Sequence, residues 1–285
     1  MAIPDTSPVP VPASSPRLRI GLAGFGSVGQ FLARRLDEGA LPQATLTAIT
    51  ARDLEKAARN AAGLAMRPRI VPLAELPAMA DVVVECATAE SFPEVARTVL
   101  EQGRTLLALS AGGVPAFPDM IDFAERHAGR VRIASGALPG LDSVRSAAEG
   151  TIRSVKLNSR IKPQSFVGEE YLEARGFDFT KPLAAPVQVF SGTAREAAAA
   201  FPRHFNVAIS LSLAGIGFDR TMVEIWADPH IPGAVHNVEL EADEIVLSMT
   251  SRNRPSEANP KTSRIIAPTV LAALRSMVAP LHVGS

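Results

Sequence analysis

The sequence predicts an α/β fold with a parallel sheet in its first half and an α+β fold of mostly antiparallel sheet in its second. Three observations carry this reading. Short apolar runs of the buried parallel-strand type alternate with helical runs up to about residue 146. Between the first apolar run and the first helix lies a turn with Gly24, Gly26 and Gly29 at the spacing G-x-G-x-x-G. From about Ala147 the pattern changes to alternating strands joined by few helices.

Taken in order, Met1 to Pro16 holds five prolines among serines and alanines. Such a segment cannot offset the entropy of its own ordering, so residues 1–16 are expected to be a disordered extension. Leu18, Ile20 and Leu22 mark the first strand, and Val28, Phe31, Leu32 and Leu36 recur on one helical face after the glycine turn. Gly24 permits the tight turn, Gly26 lets a pyrophosphate reach the backbone, and Gly29 lets helix and strand pack closely. Ser27 and Val28 open the helix, whose free N–H groups suit the phosphates of NAD or NADP. This is a Rossmann-type arrangement.

Ala44 to Thr50 alternates as a second strand, and a helix starts between Asp53 and Ala62. An acidic residue at the end of that strand would hold ribose hydroxyls and favour NAD, whereas a cation would accept a 2′-phosphate. The chain reads Thr50-Ala51-Arg52-Asp53 there, so the carboxylate comes late, a guanidinium precedes it, and NAD and NADP both stay open. Asp81 to Ala87 is a third buried strand with a helix from Glu90 to Gln102, and Leu106 to Leu109 and Val131 to Ala134 repeat the pattern. These strands end in small residues, Cys86-Ala87, Ser110 to Gly113 and Ser135 to Gly140, which let a nicotinamide ring and a substrate approach the backbone. Cys86 reads as a small buried hydrophobe rather than a nucleophile, because no activating partner is visible nearby.

In the second half, Ile152 to Ile161, Val187 to Phe190, Thr221 to Ala227, Asn237 to Glu241 and Ile245 to Thr250 are predicted strands. Thr193 to Phe201 and Asn206 to Ala214 are predicted helices, and Lys261 to Val278 a last helix kinked near Pro268. The expected organisation is a dinucleotide-binding domain over 17–146, an α+β substrate domain over 147–262, and a C-terminal helix over 263–285 that packs back on the first domain.

Composition narrows the function classes. The 285 residues carry 29 Lys and Arg against 29 Asp and Glu, so no broad basic field exists to attract nucleic acid or an anionic membrane. The single cysteine excludes an intramolecular disulfide and a cysteine-based zinc site, which suits a reducing cytoplasm. No apolar run reaches the roughly 20 residues needed to span a bilayer.

Two segments are richer in polar specificity than packing requires: Phe201 to Ala208, and Ala227 to Asn237. They contain three of the five histidines, His204, His230 and His236. A neutral imidazole can take a proton near pH 7, as amine oxidation or water activation requires. A three-histidine metal site is conceivable, but the helix-borne H-E-x-x-H pattern is absent and no metal is expected. Lys162, Arg203 and Lys261 are candidate grips for an anionic substrate.

Gly24 to Gly29, Glu85-Cys-Ala87, Ser135 to Asp142, Phe201 to Ala208, Ala227-Asp-Pro229, His236 and Asn259-Pro-Lys-Thr-Ser263 occur in the order seen in the L-aspartate dehydrogenase family. The chain resembles that family over nearly everything after Pro16. The resemblance implies a Rossmann domain joined to an α+β catalytic domain, with NAD or NADP as cofactor. It implies oxidative deamination of L-aspartate to iminoaspartate, which hydrolyses to oxaloacetate and ammonia or feeds NAD biosynthesis. It also implies His236 as the catalytic residue and Asn206 and Ala137 as cofactor contacts. Departures fall at Ala234-Val-His-Asn237, where the family often reads Asn-Ile-His-Glu, at His204, where it often has asparagine, and at Thr50-Ala51, where an acid is common. The alternatives are a dehydrogenase or imine reductase for another amino or 2-oxo acid, and a non-catalytic dinucleotide sensor. A homodimer is expected from the second-domain sheet by analogy of fold.

Overall fold

The computed structural model describes residues 17–138, 140–201, 206–256 and 263–284. The expected extension over 1–16 lies outside the described residues, as do Arg203, His204 and Lys261. The first unit contains β1 (Leu18–Ala23), α1 (Ser27–Asp37), β2 (Ala44–Thr50), α2 (Leu54–Ala61), β3 (Arg69–Ile70), β4 (Val82–Glu85), α3 (Phe92–Glu101), β5 (Thr105–Ala108), α4 (Met120–Arg126) and β6 (Arg130–Ile133). After α5 (Leu141–Ala148) come β7 (Ile152–Ile161), α6 (Glu170–Glu173), β8 (Val187–Thr193), α7 (Ala194–Ala200), α8 (Asn206–Ala214), β9 (Thr221–Ala227), β10 (Val235–Ala242), β11 (Val246–Arg252) and α9 (Ile266–Ser276).

Strands β1 to β6 form one parallel sheet in the order β3-β2-β1-β4-β5-β6. Its central strands are apolar along their length because helices cover both faces; β4 is buried at all four positions. The order reverses between β1 and β4, and ligands bind such sheets in the crevice beyond the strand ends at that point. The second sheet runs β11-β10-β7-β9-β8. Its pairings are antiparallel except β7 with β9, which are parallel, so the sheet is mixed. One face of it carries Val155, Leu157, Val223, Ile225, Val238 and Leu240, buried with Ala197, Ala208 and Leu211 of α7 and α8.

Local signals set several helix starts. The Asp53 carboxylate accepts from the Lys56 backbone N–H and caps α2, and Thr193 with Glu196 forms a reciprocal capping box on α7. The last helix starts at Ile266, later than the predicted Lys261. Pro268 falls in its first turn, where no N–H is required for an intrahelical bond, so it causes no kink. The short β3 and the helices α4, α5 and α6 have no counterpart in the sequence prediction. At two to eight residues they offer little periodicity, and tertiary contacts select them.

Helix α9 lies against α1, and its Val270 and Leu274 are fully buried in the core that contains Leu32, Leu36 and Ile49. The chain therefore returns to the first sheet after completing the second. Leu274→Ala should cost about 2–4 kcal/mol by leaving a cavity between α9 and α1. Denaturant unfolding monitored by circular dichroism measures that loss; a change below about 1 kcal/mol would mean α9 is not part of this core.

Candidate active site

The glycine turn stands at the sheet's reversal point. Gly24 has φ of +103°, and a Cβ there would sit 2.6 Å from the Cys86 carbonyl oxygen. A Cβ on Gly29 would lie 2.5 Å from the Gly24 carbonyl oxygen, so α1 starts in contact with the end of β1. Gly26 differs: a Cβ there would meet nothing within 4 Å, which leaves the approach to the α1 N-terminus open. No side chain caps that terminus and its first turn carries no acid. The N–H groups of Ser27, Val28 and Gly29 therefore make an anion cradle of the kind a pyrophosphate takes.

The loop after β4 is built on a buried acid that sequence reasoning left without a role. Glu85 is inaccessible to solvent. Its carboxylate accepts from the backbone N–H groups of Ala87 at 2.8 Å, Ser110 at 2.9 Å and Leu109 at 3.2 Å. Burial raises its pKa while these donors oppose the rise. The acid thus ties the ends of β4 and β5 together. Beside it, half-buried Cys86 donates its Sγ–H to the Gly24 carbonyl at 3.3 Å, and burial pushes its thiol pKa upward, which disfavours the thiolate.

Two cavities meet at Cys86 and Ala87, which line both. One, of about 870 Å³, runs past Gly24, Gly26 and Arg52 toward α2. The other, of about 350 Å³, lies between the two sheets and is lined by Val28, Ala137, Lys162, Asn206 and His236, among others. The structure brings these predicted residues together from five separate stretches of chain. Ser27 and Gly29 lie in the first turn of α1 rather than on either wall.

His236 sits on β10 with Ser159 of β7 and Ser251 of β11 as its direct cross-strand partners. Ser159 Oγ lies 2.9 Å from His236 Nδ1, which leaves Nε2 as the nitrogen a ligand can use. Burial of the ring lowers its pKa to about 4, so the imidazole is neutral at pH 7. Its depressed value makes this contribution to stability fully present above about pH 6.5 and progressively lost as pH falls toward 4. Ser251 Oγ and Asn253 Nδ2 both donate to the Ala137 carbonyl at 3.2 Å. One row of side chains thus holds the imidazole and, through β11, the loop after β6. Across the cavity, Asn206 Oδ1 accepts from the Gly112 N–H at 2.8 Å and joins the second unit to the first. Lys162 is exposed at the rim. His230 lies outside both cavities, and its backbone N–H donates to Asp228.

Ser159, Ser251 and Asn253 were not among the predicted site residues. The inward alternation of β7 could have flagged Ser159, a hydroxyl at a position where packing alone would select an apolar group. Among the described residues, no group of three or more His, Cys, Asp or Glu side chains is arranged to hold a metal ion. No helix in them is long and apolar enough to cross a membrane.

Residues 142–277 match the family described as "Aspartate dehydrogenase, C-terminal", and residues 24–134 match "Homoserine dehydrogenase, NAD binding domain". L-aspartate dehydrogenase 3 of Bordetella bronchiseptica is 43% identical over 273 residues, covering 96% of this chain and 100% of the relative. The chain belongs to the aspartate dehydrogenase family. The L-aspartate dehydrogenase of Bradyrhizobium diazoefficiens is 41% identical over 95% of this chain and 96% of its own. The crystal structure of aspartate dehydrogenase from Thermotoga maritima, 22% identical, shares the fold with a TM-score of 0.69 over 94% of this chain and 100% of that one.

The glycines of this family member divide by what limits them. Gly24→Ala should destabilise the fold by about 1–3 kcal/mol, through positive φ and the clash with Cys86. Gly26→Ala should leave stability within about 0.5 kcal/mol and weaken dinucleotide binding instead, because its methyl fills only the cradle. Thermal unfolding of both variants beside NADH and NADPH titration checks the contrast; equal effects on stability would refute it.

Proposed function

We propose that this chain catalyses the reversible NAD(P)-dependent oxidative deamination of L-aspartate to iminoaspartate, which water converts to oxaloacetate and ammonia. The observation that carries the reading is the 350 Å³ cavity in which His236, Asn206, Ala137 and Lys162 converge beside the glycine turn. Among its described lining residues Lys162 is the only one with a full charge, and none is acidic. A dicarboxylate entering it meets no repulsion at short range.

The residues fit a dinucleotide: an open, uncapped helix N-terminus stands at one side of Cys86, and a polar cavity large enough for a small acid stands at the other. Gly24, Gly26, Ser27, Val28 and Gly29 would hold the pyrophosphate, Cys86 and Ala87 would line the path of the chain, and Ala137 and Asn206 would flank the nicotinamide. The bound nicotinamide supplies a hydride acceptor for the substrate Cα. Ser159 accepts the Nδ1 hydrogen of His236, which orients the ring and presents the Nε2 lone pair to the cavity. His236 then takes the proton lost from the substrate amine, and later one from the water that attacks the imine carbon. A carboxylate brought beside the ring raises its pKa from about 4 toward neutrality, so substrate binding itself strengthens the base. Lys162 pairs with a substrate carboxylate. Arg203 and Lys261 are proposed to complete the grip; Asn206, Pro255 and Ser263, which flank the segments that contain them, line the cavity.

We further propose a cytoplasmic homodimer, formed through the sheet face opposite α7 and α8. That face presents Met222, 43% exposed, and Trp226 among cross-strand charged pairs such as Lys156 with Glu224 at 2.7 Å. A self-complementary patch suits a two-fold interface. Light scattering of the purified protein should give twice the chain mass, and Met222→Glu should reduce it to the monomer; a monomeric wild type would remove the proposal.

Purified protein should oxidise NADH or NADPH when given oxaloacetate and ammonium, and should reduce the matching oxidised cofactor with L-aspartate. His236→Ala should lower kcat by about 10²–10⁴-fold while leaving cofactor binding intact. Ser159→Ala should lower kcat by about tenfold, since it frees the ring rather than removing it. Binding of either cofactor without turnover in both directions would refute aspartate as substrate.

A further inference from the structure

The far end of the larger cavity bears on which dinucleotide is used. Strand β2 ends at Thr50, which is 7% exposed, and the next position is Ala51. No carboxylate stands where ribose hydroxyls would be held. Asp53 follows three residues beyond the strand, and its Oδ1 is engaged by the Lys56 N–H at 2.8 Å as the cap of α2. Capping therefore already draws on this acid.

Cations gather around it. Arg52, Lys56 and Asn60 line the cavity with Asp53 and Ala57. Lys56 and Asn60 are four apart on α2, which places their side chains on one face. Neither Arg52 nor Lys56 is in a salt bridge among the described residues; the neighbouring Glu55 is instead 3.9 Å from Arg59. The other acids of this cavity, Glu90 and Glu94, follow β4. In the sheet, β4 is two strands from β2, a separation of about 10 Å. The cavity thus carries two cations and three acids, and of these Arg52, Lys56 and Asp53 belong to the segment after β2, with Asn60 beside them.

We infer that Arg52, Lys56 and Asn60 form a subsite for the 2′-phosphate of NADP(H), and that the protein prefers it to NAD(H). This inference rests on the dehydrogenase reading above and adds the residues that choose the cofactor. Arg52 supplies a forked donor pair, Lys56 a second charge, and Asn60 a neutral donor. Without the phosphate, the two cations would face a ribose hydroxyl that gives them no charge to bind.

The test is equilibrium binding to the full chain, by calorimetry, with NADPH, NADH, adenosine 2′,5′-bisphosphate and AMP as separate probes. NADPH should bind at least about tenfold more tightly than NADH, and the bisphosphate more tightly than AMP by a similar factor. Arg52→Ala and Lys56→Ala should each cut that ratio by about tenfold, with the loss confined to the phosphorylated probes. Ala51→Asp should reverse the preference by restoring a ribose-holding carboxylate. Equal binding of NADH and NADPH, or variants that weaken both alike, would overturn the inference and leave the dehydrogenase reading standing. Binding of neither dinucleotide would overturn both.

Discussion

The site depends on a single buried carboxylate. Glu85 ends β4 with no exposure, and its two oxygens collect three backbone N–H groups from the loops after β4 and β5. Those loops supply Cys86, Ala87, Leu109 and Ser110 to the smaller cavity. Without that carboxylate the Ala87 and Ser110 N–H groups would lose their acceptor, at about 1–3 kcal/mol each, while the Leu109 N–H would keep the Glu85 backbone carbonyl at 3.1 Å. An apolar residue of the same size could pack in the sheet but could not gather the loops. The acid is therefore structural in location and functional in consequence. The glycine turn then registers against the fixed loop: Gly24 contacts the Cys86 backbone, and Gly29 brings α1 onto Gly24.

The second sheet solves a different problem, which is to bring one imidazole to that floor in one orientation. Cross-strand register does this, because Ser159, His236 and Ser251 are direct partners and so share a face. Ser159 holds the ring, while Ser251 with Asn253 holds the Ala137 carbonyl of a loop that belongs to the first unit. A shift of β10 by one residue would turn His236 into the opposite face and replace it with a neighbour. The distance between the imidazole and the loop after β6 is thereby fixed by hydrogen-bonded sheet rather than by a flexible connection. The Asn206 to Gly112 bond adds a second tie on the far side of the cavity.

Much of this was legible in the sequence, for reasons that differ by element. Strands β2, β7 and β9 occupy the predicted ranges because alternating or continuously apolar residues between turn signals have one stable placement. The glycine turn was readable because its positions meet backbone limits visible in residue type alone. His236 was singled out first as one of three histidines, and only the resemblance to a family separated it from His230. The structure adds why they differ: His236 is buried in the smaller cavity, whereas His230 is exposed on a loop. Glu85, Ser159 and Asn253 were not legible as site residues. Each acts through a partner 24 to 116 positions away, and single-sequence periodicity carries no information about such pairs.

An anion site in a chain with no net charge follows from where acids are left out. The protein has as many acidic as basic side chains, yet the described lining of the smaller cavity contains no Asp or Glu. Acids elsewhere are consumed in pairing or capping: Asp228 with Arg160 at 3.0 Å, Glu224 with Lys156, Asp53 at the start of α2, and Glu85 within the floor. Lys162, exposed at the rim of the cavity, is left without such a partner among the described residues. The same absence of acid explains the state of the imidazole, since no neighbouring carboxylate stabilises the imidazolium and burial alone sets the His236 pKa low. In the proposed reaction a dicarboxylic substrate would bring the missing negative charge with it, so its carboxylate would complete the base that takes the proton from its amine.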